Sequence, residues 1–446
     1  MPATPVVYRL AARLGRGLAP VLSLFSPRLA AGHRGRIGAS ERLAAWGRRS
    51  RDHARPLVWF HASSVGEGLQ AESVLLDLRR LHPEAQYVYT HFSPSAEPLA
   101  RQLPVDTADY LPYDLPDAAQ ELLQALAPTL LVFSKLDLWP ELATRAAARG
   151  VPVAMVAATV SPGSGRLRWP ARALLREGYR AVTLAGAVSD EDATRLARLG
   201  VAADRIRVLG DPRFDSVVRR IAGIGRNDPL LLLGRGAPTL VAGSTWPADE
   251  AVLLDAFARL RARRPDTRLI LVPHEPVPAH LRSVEEAARR AGLPHPVRLS
   301  TATAPAPLVL VDRVGALAAL YGGGTMAYVG GGFGRAGLHS VLEPAAWSVP
   351  VAFGPRWTES RDAALLLEGG GAMALTGRDP LGGGELYRIW LGWIEDEAGR
   401  SAQGERARLI VDRGAGASHR SAELLAEAIS SRLPRTSPIA GRSTPG

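Results

Sequence analysis

The chain of 446 residues contains no cysteine, and Lys135 is the single lysine among its 54 basic residues. The absence of cysteine excludes a disulfide framework, a thiolate nucleophile and every cysteine-based metal site. The sequence also lacks an H-E-x-x-H motif and any His/Asp cluster at metal-ligand spacing. We therefore expect no metal and no cofactor, so phosphate charge on a substrate would be met by helix ends and basic side chains.

Long apolar runs are absent too. The longest uncharged run near the N-terminus, residues 17–27, is about half of what a bilayer span requires. A signal peptide would carry its charge ahead of the apolar run, whereas here the charge continues through it. The sequence therefore predicts neither a transmembrane helix nor a signal peptide in this segment.

The first 55 residues are strongly basic, with eleven arginines against Glu41 and Asp52, a net charge of +9 out of +11 for the chain. Their apolar residues approximate one face of a helix, interrupted by Gly15, Gly17 and Pro20. We interpret residues 1–55 as a basic amphipathic segment that lies on an anionic membrane surface. A solvated basic helix is the alternative. A nucleic-acid partner is not expected, because no zinc finger or RNA-binding aromatic signature accompanies the charge.

From Pro56 onward, short apolar runs alternate with longer amphipathic stretches, which predicts parallel strands joined by helices. The alternation weakens over residues 216–236 and then restarts. We predict an α/β fold of two Rossmann-like doubly wound domains facing across a cleft. The predicted divisions are the segment 1–55, a first domain 56–215, a hinge 216–236, a second domain 237–433 and a disordered tail 434–446, rich in Ser, Pro, Arg and Gly.

Residues 325–355 carry the most distinctive pattern, a strand-like run that ends in consecutive glycines before a helix predicted from Ser340. Glycines let a backbone approach a ligand closely, and N–H groups at a helix start bind phosphate. Ser340 suits the N-cap or a phosphate contact, and Glu343 suits hydrogen bonds to ribose hydroxyls. We interpret this region as a nucleotide-sugar site, with a tight structural turn as the alternative.

The matching element of the first domain contains Glu67, which lies between two glycines after a predicted strand and before a predicted helix. A carboxylate at this end of a strand can remove a proton from an incoming hydroxyl. The alternative is a surface carboxylate that compensates the helix dipole. Lys135 follows another predicted strand, where it would pair with an acidic substrate or with Asp137. Segments 243–246 and 273–276 end the first two strands of the second domain, where a nucleotide would be held.

In this order and spacing, the patches resemble the 3-deoxy-D-manno-octulosonic acid (Kdo) transferases of lipid A assembly. The stretch Ser64-Val65-Gly66-Glu67 is similar to the opening motif of that family, and residues 137–139 to its Glu-(aromatic or Leu)-Trp motif. Residues 210–215, Gly-Asp-Pro-Arg-Phe-Asp, are similar to the family's Gly-Asn-x-Lys-Phe-Asp. Asp137 stands in place of the family's glutamate, Asp211 in place of its asparagine, and Ser340 where many members have asparagine.

The resemblance implies a GT-B architecture, with the acceptor bound by the first domain and the nucleotide sugar by the second. It implies an inverting glycosyltransferase that moves Kdo from CMP-Kdo to an anionic lipid A precursor (lipid IVA) in lipopolysaccharide core biosynthesis. The enzyme would work at the cytoplasmic face of the inner membrane. The candidate catalytic residues are Glu67, as general base, and Asp137. The candidate binding residues are Ser64, Gly66, Lys135, Arg213, Gly243, Ser244, Thr245, Pro273, His274, Glu275, Gly331, Gly332, Gly337, His339, Ser340 and Glu343.

Two other functions stay open at this point. One is a different GT-B glycosyltransferase, or a sugar-nucleotide epimerase, that uses a UDP-sugar. The other is a non-catalytic lipid-binding relative, which the departures at Asp137 and Asp211 leave possible and which the intact Glu67 argues against.

Overall fold

The computed structural model describes residues 4–334, 337–379 and 383–431. The chain divides into two compact units, unit 1 formed by residues 1–216 and 416–446 and unit 2 by residues 217–415. Each unit contains a seven-stranded sheet whose paired strands run parallel. The expected class of two Rossmann-like α/β domains is confirmed. None of the helices within the described ranges has the length and apolar character needed to cross a membrane.

Unit 1 begins with three helices and continues as alternating strands and helices. Its elements are α1 (Val6–Ser23), α2 (Pro27–Arg36), α3 (Ala39–Ser50), β1 (Leu57–His61), α4 (Val65–Leu81), β2 (Gln86–His91), α5 (Glu97–Ala100), β3 (Thr107–Tyr110), α6 (Pro116–Leu126), β4 (Leu130–Ser134), α7 (Pro140–Ala148), β5 (Val153–Ala158), α8 (Ala171–Arg180), β6 (Leu184–Ala187), α9 (Asp190–Leu199), β7 (Ile206–Val208) and the start of α10 (Pro212–Ala222).

Unit 2 repeats the alternation and ends in two long helices, after which the chain returns to unit 1. Its elements after α10 are α11 (Pro229–Leu232), β8 (Thr239–Thr245), α12 (Pro247–Arg263), β9 (Arg268–Pro273), α13 (Pro278–Arg290), β10 (Val297–Arg298), β11 (Leu308–Leu310), α14 (Leu317–Gly323), β12 (Met326–Val329), α15 (Leu342–Ala346), β13 (Val351–Phe353), α16 (Arg361–Glu368), β14 (Ala372–Ala374), α17 (Gly383–Glu395) and α18 (Glu397–Gly414); α19 (Ala417–Ser430) belongs to unit 1.

The strand order places one point of reversal in each sheet. In unit 1 the order is β3-β2-β1-β4-β5-β6-β7, so the order reverses between β1 and β4. In unit 2 it is β10-β11-β9-β8-β12-β13-β14, with the reversal between β8 and β12. All residues of β1, β4 and β12 are buried because helices cover both faces. Open parallel sheets bind ligands beyond the carboxyl ends of the strands at such a reversal.

The last helix, α19, belongs to unit 1 and not to the second domain in which it was predicted. The predicted second domain extends to residue 433, whereas α19 packs against α4 of unit 1. Asp215 accepts hydrogen bonds from the backbone N–H groups of Gly416 at 2.6 Å and Ser418 at 3.0 Å. These two bonds satisfy amides at the start of α19, which would otherwise lack partners. No local pattern in residues 416–431 specifies which sheet the helix joins.

Three further expectations concern residues 216–236, helix α1 and the C-terminal tail. Residues 216–236, predicted as a hinge, contain the end of α10 and all of α11. Helix α1 continues through Gly15, Gly17 and Pro20 instead of being interrupted by them. The proline lies in the last turn of α1, where it removes a single hydrogen bond. The tail predicted to be disordered, residues 434–446, lies outside the described residues.

Candidate functional site

In unit 1 the loop after β1 leads directly into the first turn of α4, which holds Glu67. The backbone N–H of Ser64 donates to Oε2 of Glu67 at 3.2 Å, so the carboxylate satisfies a free amide at the helix start. Within the described residues, Oε1 of Glu67 accepts no hydrogen bond. A side chain added at the exposed Gly66 would contact nothing within 4 Å. The carboxylate is therefore oriented through one oxygen, and its other oxygen has no hydrogen-bond partner among the described residues.

Asp137 lies in the loop after β4 and is the centre of a hydrogen-bond network. Its Oδ2 accepts from His61 Nε2 at 2.9 Å, from Trp139 Nε1 at 3.3 Å and from the hydroxyl of Ser63. The other ring nitrogen of His61 contacts Thr90 Oγ1 at 3.0 Å. Burial acts to raise the pKa of Asp137, but the bonds from His61, Ser63 and Trp139 outweigh it and lower the pKa to about 2. Asp137 is therefore a fixed negative charge that ties the β1 and β4 loops together.

Lys135 lies two residues before Asp137, and its backbone has a φ of +61°, in the left-handed region. Residues with a side chain rarely adopt this conformation outside turns and functional loops. The backbone N–H donates to the carbonyl of Val156 at 2.8 Å, which holds the residue in place. No carboxylate among the described residues pairs with the Lys135 ammonium group. The predicted pair with Asp137 is therefore not formed, and the pair with an acidic substrate stays a prediction.

The segment 210–215 has a different character from the one expected of a phosphate contact. Arg213 donates from Nη2 to Oδ2 of Asp211 at 2.6 Å and from Nε to the same oxygen at 2.8 Å. The carboxylate that replaces the family's asparagine therefore pairs with the guanidinium group next to it. Asp215 in the same segment bonds the start of α19, and Phe214 is buried. Much of this motif thus has a structural use in this chain.

In unit 2 the glycine-rich loop after β12 packs tightly on its neighbours. Gly331 has a φ of +96°, and its N–H donates to Oδ2 of the buried Asp249 at 2.9 Å. A Cβ at Gly332 would lie 2.7 Å from backbone atoms of Gly354, so the two backbones meet directly. Asp249 also accepts from the hydroxyl of Tyr328 at 2.9 Å. The structure thus shows a tight structural turn whose glycines let protein backbones meet, and close approach of this loop to a ligand stays a prediction.

Three aromatic rings from separate loops stack at this edge of the unit 2 sheet. The rings of His274 and His339 are 4.4 Å apart between centroids, and those of Trp246 and His274 are 4.8 Å apart. Trp246 Nε1 donates to His339 Nε2 at 3.1 Å. An N–H can donate only to an unprotonated nitrogen, so the proton of the neutral His339 ring is on Nδ1. Burial, and then the nearby His274, lower the pKa of His339 to about 4.

Several other predicted residues form this same edge. Ser244, at the end of β8, has a left-handed φ of +53°. The hydroxyl of Thr245 is buried and donates to Oε1 of Glu250 at 2.9 Å, so it ties the end of β8 to α12. A Cβ at Gly243 would lie 2.1 Å from the hydroxyl of Tyr321, which explains the glycine by packing. Pro273 is buried as the last residue of β9, and the exposed Glu275 presents a backbone carbonyl to His280.

The helix expected at Ser340 starts later and is shorter. Helix α15 begins at Leu342 with Val341 at its N-cap, and it has five residues. The hydroxyl of Ser340 accepts from the N–H of Leu342 at 3.4 Å. Gly337 is exposed with a φ of +84°. The carboxylate of Glu343, predicted to accept ribose hydroxyls, forms an ion pair with Arg220 through one of its oxygens.

Sequence reasoning missed the side chains that hold these groups in position. His61 and Asp249 are buried polar residues that the sequence pattern did not single out. Trp246 was noted only as the end of segment 243–246, where a nucleotide would be held, and was given no role of its own. A signal existed for His61, since a histidine inside an otherwise apolar strand requires a buried partner. No such signal exists for Trp246, because its partners lie 28 and 93 residues away, at His274 and His339.

Comparison with known proteins gives consistent results. Residues 37–216 match the family model of the 3-deoxy-D-manno-octulosonic-acid transferases (kdotransferase). The 3-deoxy-D-manno-octulosonic acid transferase of Bordetella pertussis is 31% identical over 94% of this chain and 98% of its own length. The enzyme of the same name from Haemophilus influenzae is 27% identical over 67% of this chain and 70% of its own length.

Among solved structures, the UDP-GlcNAc 2-epimerase of Neisseria meningitidis bound to UDP-GlcNAc is similar in fold, with a TM-score of 0.60 and 12% sequence identity. The similarity covers 84% of this chain and all of the epimerase chain. At this identity the likeness concerns the fold alone.

Proposed function

The chain belongs to the 3-deoxy-D-manno-octulosonic acid transferase family, and on that premise we propose that it transfers Kdo from CMP-Kdo to an anionic lipid A precursor. The observation that carries the proposal is Glu67, placed in the first turn of α4 where the strand order of unit 1 reverses. One carboxylate oxygen is anchored by Ser64, and the other is available in the described structure. This arrangement suits a general base.

The reaction balances with a single base and a good leaving group. The acceptor hydroxyl gives its proton to Oε1 of Glu67 while its oxygen forms a bond to the anomeric carbon of Kdo. The bond from that carbon to the CMP phosphate oxygen breaks, and CMP leaves with the electron pair as an anion. Attack on the face opposite the leaving group inverts the anomeric configuration. Unit 1 supplies the base, and unit 2 supplies the loop that receives the nucleotide.

The charged groups of the described residues indicate which side chains assist. Lys135 has an ammonium group without a carboxylate partner among the described residues, so it is available for an anionic substrate group. Arg213 already pairs with Asp211, which reduces the positive charge it can offer. His339 presents an Nδ1–H donor while staying neutral at pH 7. We therefore assign the electrostatic contribution of unit 1 to Lys135 and the neutral donor of unit 2 to His339.

The substitution Glu67→Gln tests the assignment of the base. Its amide oxygen can still accept from the N–H of Ser64, so α4 keeps its first turn, but the side chain can no longer take a proton. We expect the variant to fold and bind CMP while its turnover with CMP-Kdo and lipid IVA falls at least 100-fold, in line with general-base catalysis. Transfer is measured by mass spectrometry, which also counts the sugars added. Turnover equal to that of the wild type would remove Glu67 from this role.

The nucleotide distinguishes this function from the UDP-sugar alternative. We expect CMP to raise the unfolding temperature of the protein more than UDP does at equal concentration, because ligand binding to the native state stabilises it. Stronger protection by UDP would favour a UDP-sugar transferase or an epimerase. Binding of a lipid acceptor without any transfer by the wild-type chain would favour the non-catalytic relative.

We also propose that the enzyme works on the cytoplasmic face of the inner membrane. Helix α1 supports this location, because Leu10, Leu14 and Leu18 are all more than 40% exposed on one face. The basic residues of the same segment suit anionic lipid headgroups. Transfer without a metal ion is a further part of the proposal, and full activity in the presence of EDTA is the result expected.

A further inference from the structure

Helices α1 and α2 and the loops after β2 and β3 line an open-sided cavity of about 310 Å³, which we call the helical cavity. Its lining includes Gly15, Ala19, Leu22, Leu29, Phe92 and Tyr113. Leu22 also belongs to the exposed apolar face of α1, where it is 48% exposed. The exposed apolar surface of α1 therefore continues through Leu22 into the helical cavity.

A cation without a carboxylate partner lies at the helical cavity. Arg36 lines both this cavity and a neighbouring one of about 540 Å³. Its guanidinium carbon is 3.3 Å from the centroid of the Phe92 ring. Nη1 donates to the carbonyl of Gly32 at 2.8 Å and Nη2 to the carbonyl of Phe92 at 2.5 Å, and the guanidinium group also shares a hydrogen bond with Tyr113. Its Nε is buried without a hydrogen-bond partner, and no carboxylate pairs with Arg36 in the parts of the chain that the structure describes. A half-buried cation of this kind suits an anionic ligand group.

The helical cavity is connected to the loops that hold Glu67 and Asp137. The ring of Phe92 packs at 4.8 Å from that of Trp139, which donates to Asp137. The backbone N–H of Ser93 donates to the carbonyl of Ser63 at 2.7 Å, which ties the loop after β2 to the loop after β1. The loop that lines the helical cavity is therefore in direct contact with the loops after β1 and β4.

We infer that the helical cavity binds one acyl chain of the lipid acceptor and that Arg36 binds an anionic group of the same molecule. The assignment rests on the proposed function, since it names the part of the acceptor that this region recognises. The occupant follows from charge complementarity and from continuity with α1, because an apolar cavity next to an unpaired cation fits an anionic amphiphile. A purely polar sugar phosphate would leave the apolar lining without a ligand.

Two glycines of α1 provide a matched pair of variants. A Cβ added at Gly15 or at Gly17 meets nothing within 4 Å, and both residues are exposed, but Gly15 alone of the two lines the helical cavity. Gly15→Leu therefore fills the cavity, whereas Gly17→Leu adds the same side chain to the same helix outside it. Both changes replace a helical glycine with a better helix former, so α1 stays intact in both variants.

Acceptor KM is measured at saturating CMP-Kdo and constant detergent, with lipid IVA and with the same acceptor after complete deacylation. We expect Gly15→Leu to raise the KM for lipid IVA about 10-fold, the effect of losing roughly two buried methylene groups, and to leave the deacylated acceptor unchanged. Gly17→Leu leaves both values unchanged. An unaltered KM for lipid IVA with Gly15→Leu, or an equal rise for both acceptors, overturns the inference.

Arg36→Met tests the charged part of the site, with Arg34→Met, an exposed arginine of the same helix, as the control. We expect Arg36→Met to raise the KM about 10-fold or more for the phosphorylated acceptor and much less for a dephosphorylated one. Equal effects on both acceptors contradict the role of Arg36.

If Gly15→Leu weakens sedimentation with lipid vesicles and leaves acceptor KM unchanged, a bilayer lipid occupies the cavity and the inference is wrong. Absence of transfer by the wild type would instead overturn the proposed function.

Discussion

Asp137 shows how one residue connects the loops of unit 1. It accepts hydrogen bonds from His61, Ser63 and Trp139, and its side chain is 18% exposed. The folded pKa of about 2 lies below the ordinary value of 3.8. Because the folded pKa is depressed, the stabilisation is fully present above the ordinary value and is lost as pH falls through about 2. Its size is on the order of 2 kcal/mol.

The first prediction concerns Asp137→Asn. We expect the free energy of unfolding at pH 7 to fall by about 1–3 kcal/mol, because the amide cannot replace a carboxylate that accepts several donors. The difference between variant and wild type should shrink as pH is lowered from 5 to 3. Urea unfolding at each pH measures it. A difference that stays constant over this range would mean that the charge of Asp137 does not contribute.

A second residue-scale prediction concerns His339. Its folded pKa of about 4 lies below the ordinary 6.5, so its contribution to stability is present above 6.5 and is lost as pH falls toward 4. We expect NMR titration to find this imidazole neutral at pH 6 with the proton on Nδ1. Trp246→Phe removes the hydrogen bond to Nε2, and a ring that alternates between tautomers is the expected result. Detection of the Nε2–H tautomer in the wild type would contradict the structure.

At the scale of elements, the sequence predicted the strands with the strongest apolar runs most accurately. Strands β12 and β13 coincide with short apolar runs of the kind that predicted parallel strands, because buried parallel strands are apolar on both faces. Strand β3 carries no such apolar run, since its four residues, Thr107–Tyr110, include Asp109 and are mostly half-buried. Its pairing with β2 supplies the order that its own sequence does not.

The helix at Ser340 and the position of α19 were harder to predict for different reasons. The polar and glycine-rich approach to α15 favours a helix start, yet tertiary contacts keep residues 337–341 extended or irregular. For α19 the deciding contact is Asp215, some 200 residues earlier in the chain. Contacts of this range leave no periodic pattern in a single sequence. The resemblance identified the segment 210–215, but it did not reveal that Asp215 holds a helix.

Asp215→Ala is the prediction at this scale. The substitution leaves the N–H groups of Gly416 and Ser418 without their acceptor, which typically costs about 0.5–2 kcal/mol at a helix start. We expect a corresponding loss in the free energy of unfolding, together with faster amide exchange in α19. Glu423→Ala, an exposed change on the same helix, serves as the control and should alter stability by about 0.5 kcal/mol or less. Equal effects of the two substitutions would refute the capping role.

At the scale of the whole molecule, charge and exposed apolar surface are concentrated in the same place. Residues 1–55 carry +9 of the net charge of +11. The leucines of α1 at positions 10, 14 and 18 are 45–64% exposed. Tyr8 and Arg9 of the same helix bond to Asp114 and Glu141 in the rest of unit 1. The helix is thus held on its polar side and presents its apolar side outward, which is the arrangement of an interfacial helix.

The last prediction follows from this arrangement and compares two pairs of exposed leucines. Leu14→Gln with Leu18→Gln removes apolar area from α1, whereas Leu232→Gln with Leu409→Gln makes the same change on leucines of unit 2 with 48% and 51% exposure. We expect the first pair to weaken binding to anionic vesicles about 10- to 100-fold, given roughly 1.5–3 kcal/mol for each fully buried leucine, discounted for shallow insertion. The second pair should leave binding unchanged.

Binding of the wild type should also fall when salt is raised from 0.1 to 0.5 M, since arginines contribute through screened attraction to the headgroups. Equal losses from the two pairs would show that α1 is not the contact surface, and insensitivity to salt would show that its charge is not used.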